Sequence, residues 1–114
     1  MITIDKLNSF GANTAEGLGR CFGNEALYLR LVDTIPSEQN FEKLEKSIGE
    51  GNLDAAFEAA HALKGVLGNL SLTPLYTPMV EITELLRNKS EADYAQKVAS
   101  VLELKEQLKG LCGD

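Results

Sequence analysis

LDAAFEAAHALKGVLGNL, residues 53–70, is the stretch whose reading decides the fold. At about 100° of rotation per residue, Ala56, Ala60, Leu63, Leu67 and Leu70 fall on one stripe of a helix, with Asn52 as its cap and Asp54 in its first turn. Such a stripe is stable only when other helices cover it. The opposite face carries Asp54, Phe57, Glu58, His61, Lys64, Gly65 and Gly68.

Working outward, the spacing predicts helices on both sides and no strand-like alternation. Towards the start, short helices are expected over residues 3–10, closed by Gly11, and over residues 14–21 despite Gly17 and Gly19. Asn24 caps a further helix with Glu25 in its first turn and Leu27, Leu31 and Ile35 as its buried stripe. Pro36 forces a kink or break before Phe41, Leu44 and Ile48 resume the apolar stripe, and Gly49 and Gly51 end it. Towards the end, Thr73-Pro74 signals a helix start, which Pro78 could delay to Thr77, and Val80, Ile82, Leu85 and Leu86 supply apolar surface before Asn88. Ser90 with Asp93 resembles a capping box for a last helix ending near Gly110. Short connections between the longer helices give an all-α fold: an antiparallel up-down four-helix bundle with short additional N-terminal helices.

Composition sets limits on function. A chain of 114 residues with 44% hydrophobic and 25% charged residues is long enough to bury one core, so residues 1–114 read as a single domain. The net charge of -6 excludes a nucleic-acid partner that requires clustered Lys and Arg. The opening Met1-Ile2-Thr3-Ile4-Asp5 has no basic flank leading into an apolar stretch, and no apolar run reaches the roughly 20 residues of a membrane span. No membrane association and a cytoplasmic location are expected; Met1 and the polar end favour a stand-alone protein over a segment of a larger one. Cys21 and Cys112 lack CxxC spacing and read as reduced thiols.

The face around His61 needs a reason to exist. Gly65 and Gly68 each cost roughly 1 kcal/mol relative to Ala inside a helix, and they flank the imidazole one and two turns on. Bare backbone there would let a bulky partner reach the ring. Lys64, at i+3, can bring its ammonium to an anion attached to that ring, and phosphate is the obvious anion. Taken singly, each feature has an ordinary explanation: close helix packing for the glycines, an incidental surface histidine, a solvated lysine. Their coincidence on one face is what points to a site. Phe57 either anchors a docking partner, with Gly68 allowing close approach, or packs at the bundle seam. Glu58 and Asp54 are solvated charges or selectivity groups facing a basic partner.

Ala60-His61-Ala62-Leu63-Lys64-Gly65 resembles the signature of the histidine phosphotransfer (HPt) domain family. Gly68-Asn69-Leu70, Glu50-Gly51-Asn52-Leu53 and the segment from Gly17-Leu18-Gly19-Arg20 through Phe22-Gly23-Asn24-Glu25-Ala26-Leu27-Tyr28 are similar to further family stretches, so the likeness spans residues 17–86. Ser71-Leu72 stands where many relatives have Gly-Ala, and Pro74 and Pro78 are not family hallmarks, which leaves the exit of the histidine helix open.

The resemblance implies a phosphorelay intermediate: His61 as phosphoacceptor, Lys64 steadying the phosphate, Gly65 giving access, and Phe57, Glu58 and Gly68 towards the partner. The implied partners are response-regulator receiver domains and a hybrid histidine kinase, met by a monomer. An imidazole titrates near neutrality and attacks an activated acyl phosphate without a general base, so positioning and charge neutralisation supply the catalysis. No cofactor is expected on this chain, with Mg²⁺ held by the receiver. One histidine and scattered carboxylates make no convincing metal ligand set, and the absence of a Gly-rich phosphate loop argues against kinase activity of its own. The rival readings are a non-phosphorylated adaptor bundle and an enzyme using His61 as general acid or base.

Overall fold

In the computed structural model, residues 1–113 are described; Asp114, the last residue of the expected domain, lies outside the described residues. In chain order the helices are α1 (Ile4–Phe10), α2 (Thr14–Arg20), α3 (Glu25–Asp33), α4 (Asn40–Gly49), α5 (Leu53–Asn69), α6 (Thr73–Arg87) and α7 (Tyr94–Gly113), with a 3-10 turn at Ile35–Ser37. No strand occurs among the described residues.

The helix over residues 53–70 forms as its sequence dictates. The Asn52 side chain accepts from the Ala55 N–H at 3.1 Å, satisfying one of the first-turn donors. Ala56, Ala60, Leu63 and Leu67 are fully buried, and Leu70 nearly so. The alanines let α4 and α6 approach α5 closely, and those two helices are its main neighbours. Burying leucines such as Leu63 and Leu67 contributes about 1.5–3 kcal/mol each. α6 then packs on α7, and α7 closes the ring against α4. α4 to α7 therefore form the expected antiparallel up-down four-helix bundle, with α1, α2 and α3 as the additional N-terminal helices.

The turns explain the topology. After α4, Gly51 sits at φ +70°, and the Gly51 and Asn52 amides bond back to Ile48 and Ser47, reversing the chain within a few residues. At the end of α5 the same motif is built on Ser71 at φ +54°: its N–H bonds to Gly68 O and that of Leu72 to Leu67 O, both at 3.1 Å. Ser71 also accepts from the Asn13 N–H and donates its hydroxyl to Glu16 Oε1 at 2.7 Å. The departure from Gly-Ala thus leaves a regular reversal, one that fastens α2 to the end of α5.

Three expectations need correction. Of the stripe expected for α3, Ile35 is buried, at the start of the 3-10 turn, but Leu31 is exposed and Leu27 half-buried, and the helix itself buries Tyr28 and Val32. The aromatic sets that register: a Cβ on Gly17 would lie 2.5 Å from the Tyr28 ring, and the Tyr28 hydroxyl donates to Leu70 O at 2.9 Å. Pro78 neither delays nor breaks α6, which starts at Thr73. An interior proline costs about 3 kcal/mol, but the complete burial of Leu75, Met79 and Ile82 outweighs it. The cap of α7 is Asp93, whose Oδ1 accepts from Gln96 N at 3.0 Å. Ser90 instead completes the end of α6 through its N–H to Leu85 O, and α7 continues past Gly110 to Gly113.

Candidate functional site

His61 lies near the middle of α5, on the side turned from the core, and its ring is exposed. Side chains in a helix lean towards its N-terminus, so the imidazole settles over the residue one turn earlier. That residue is Phe57: the two rings stack with centroids 5.7 Å apart and planes 23° from parallel. Phe57 is half-buried, and the Arg87 guanidinium carbon stands 5.1 Å from its ring centroid. Arg87 comes from the last turn of α6 and is held by Glu84 at 3.3 Å. Of the two expectations for Phe57, docking anchor or seam residue, the packing agrees with the second: the ring sits in the α5–α6 seam.

Lys64 is half-buried on the same side of α5. Among the described residues no hydrogen bond or ion pair engages either the His61 ring or the Lys64 ammonium, so both remain available to a partner. Lys64 lines a cleft of about 320 Å³ with Gly65, Gly68, Ser71, Tyr76 and, from α2, Glu16 and Arg20. Glu16 there accepts from Ser71 and lies 3.7 Å from Arg20.

The two glycines differ. A Cβ on Gly65 would meet nothing within 4 Å, so the backbone beside His61 is open. A Cβ on Gly68 would come 2.9 Å from Tyr76 Cε1, so the approach expected at Gly68 is taken up by the protein's own tyrosine. Glu58 is exposed and faces the groove beside α4 that Lys43 and Lys46 also line. Asp54 pairs with Lys89 at 3.3 Å, an exposed contact of small energetic weight.

Arg87, Tyr76, Arg20 and Glu16 were not singled out from the sequence. Each reaches the His61 side from another helix, and the residues on α5 carry no signal of which neighbour turns towards them. Among the described residues no group of His, Cys, Asp and Glu could hold a metal ion, and no helix is long and apolar enough to cross a membrane.

Searches among curated proteins and among solved structures returned no match to the chain. The family model of the Hpt domain matches residues 36–113. That match takes in all of α4 to α7 and leaves α1 to α3 outside it. Since it spans more than half of the sequence and the whole helix that carries His61, the chain belongs to the Hpt domain family, the histidine phosphotransfer modules of phosphorelays.

Proposed function

We propose that this protein is a phosphorelay intermediate in which His61 accepts a phosphoryl group from a receiver-domain aspartyl phosphate and passes it to the aspartate of another receiver. The observation that carries this reading is an exposed imidazole, free of internal hydrogen bonds, with Lys64 one turn on and open backbone at Gly65. A ring nitrogen lone pair forms the N–P bond as the P–O bond to the aspartyl carboxylate breaks, and the carboxylate leaves with the electron pair. The reverse transfer regenerates the free imidazole.

Such a transfer needs alignment and neutralised oxygen charge rather than a protein base. Lys64 supplies the ammonium for the phosphoryl oxygens, and Gly65 leaves room for the receiver's aspartate to approach in line. Mg²⁺ enters with the receiver. Glu58, beside the lysines of α4, and Gly68, beneath Tyr76, frame the docking face on either side of His61. The chain contributes no kinase activity, works as a monomer in the cytoplasm, and takes its phosphate from receiver domains, including that of a hybrid histidine kinase.

The test is incubation with a receiver domain carrying labelled phosphate. Acid-labile, alkali-stable label should appear on the wild type and be absent from His61→Gln, and Lys64→Ala should slow transfer or shorten the lifetime of the label. Label persisting in His61→Gln contradicts the assignment and favours an acceptor elsewhere; no label on the wild type favours an adaptor bundle.

A further inference from the structure

An exposed histidine on a helix ordinarily samples several rotamers, with χ1 divided between two wells and χ2 broad. A nucleophile that must line up with a phosphorus atom gains rate when that freedom is removed beforehand. Here the imidazole does not stand alone. It stacks in offset fashion on Phe57 with centroids 5.7 Å apart, Phe57 lies under the Arg87 guanidinium at 5.1 Å, and Arg87 is paired with Glu84 at 3.3 Å. Phe57 is held on two sides: it is half-buried in the seam, and the guanidinium of the partly exposed Arg87 lies over its face.

We infer that Phe57 is a positioning residue for the transfer reaction, and that Arg87 of α6 sets its position, so that the aim of the His61 ring is fixed by the neighbouring helix. The inference rests on the phosphotransfer reading and adds to it residues on α6 that the spacing along α5 does not reveal. Phe57 makes no contact with the phosphoryl group. It acts through the imidazole, restricting the ring to the stacked orientation, with planes 23° from parallel. Arg87 also places a positive charge one ring away from the imidazole.

Because His61 is the only histidine in the chain, its ring protons give unambiguous NMR signals. The experiment compares wild type, Phe57→Leu, Phe57→Tyr and Arg87→Gln, using a receiver domain charged with a small acyl phosphate as the donor. Helicity by circular dichroism serves as the folding control. In the wild type the His61 ring protons should be shifted upfield by the Phe57 ring current. Phe57→Leu should abolish that shift and slow phosphorylation at saturating receiver by roughly tenfold, leaving receiver affinity within about twofold. Phe57→Tyr should restore both the shift and the rate, and Arg87→Gln should fall between. Equal His61 shifts in wild type and Phe57→Leu overturn the brace, as does a Phe57→Leu variant that is labelled at the wild-type rate. A wild type that takes no label overturns the phosphotransfer reading itself, an outcome distinct from a labelled wild type whose leucine variant is equally fast.

Discussion

Gly68 lies directly beneath the ring of Tyr76, so close that an added Cβ would stand 2.9 Å from Tyr76 Cε1. Gly65, one turn nearer the start of α5 on the same side, faces open space. Two glycines that look alike in the sequence therefore serve different ends, one joining α5 to α6 and the other leaving backbone bare beside His61.

Substitution separates them. Gly65→Ala should stabilise the fold by about 1 kcal/mol, raising Tm by about 4 °C, because alanine is the better helix former and meets no obstacle. Under the proposed function it should also slow phosphoryl transfer, since the methyl group occupies the approach. Gly68→Ala should show little or no gain in Tm, because the Tyr76 ring must move. Equal stabilisation in the two variants, read by thermal melting, would contradict this assignment.

Ser71 holds a left-handed backbone conformation while its hydroxyl donates to Glu16 and its carbonyl accepts from Asn13. Ser71→Ala keeps the backbone cost and loses the hydroxyl bond, so it should destabilise by about 1 kcal/mol or more. Ser71→Gly loses the same bond but removes the left-handed cost of about 1 kcal/mol, leaving stability nearly unchanged. The alanine variant should melt below the glycine variant; the reverse order in denaturant or thermal unfolding would contradict the account of this turn.

Burial, together with the nearby Asp33 carboxylate, pushes the Cys112 thiol up to about 12 from an ordinary 9.0. A group whose pKa is raised by folding contributes stability that is whole below the unfolded value and lost as pH rises through the folded one. Wild type should therefore lose stability relative to Cys112→Ala between pH 9 and 12, and its Cys112 should react slowly with alkylating reagents at pH 8. A rate at pH 8 matching that of a small-molecule thiol would contradict the shielding.

His61→Gln should leave helicity and Tm essentially unchanged, since the ring is exposed and forfeits only its stack on Phe57. A fall in Tm of many degrees, measured by circular dichroism, would place the imidazole in the core instead.

How much was legible in the sequence varies with the kind of interaction. The stripe of Ala56, Ala60, Leu63, Leu67 and Leu70 was readable because burial in one helix follows its own period, and the same period put His61 outside. The bundle followed from that stripe and from the caps at Asn24 and Asn52, each of which accepts the expected backbone N–H. The face of α3 was misread because leucine spacing was weighed above the fit of Tyr28 into the gap at Gly17. Ser90 reads as a cap because the end of α6 and the start of α7 share a few residues, and only geometry divides them. Arg87 and Tyr76 carry no signal in the sequence because their contacts, with Phe57 and Gly68, depend on how α6 is rotated against α5, a relation between helices that no single helix period encodes.

The most direct test of the central claim is to locate the phosphoryl group after the protein is mixed with a phosphorylated receiver. Phosphorus NMR under alkaline quench, with mass mapping of the modified peptide, reads both the bond type and its place. The account predicts a phosphoramidate signal confined to the peptide bearing His61. A phosphate ester, or a modified peptide that lacks His61, would contradict it.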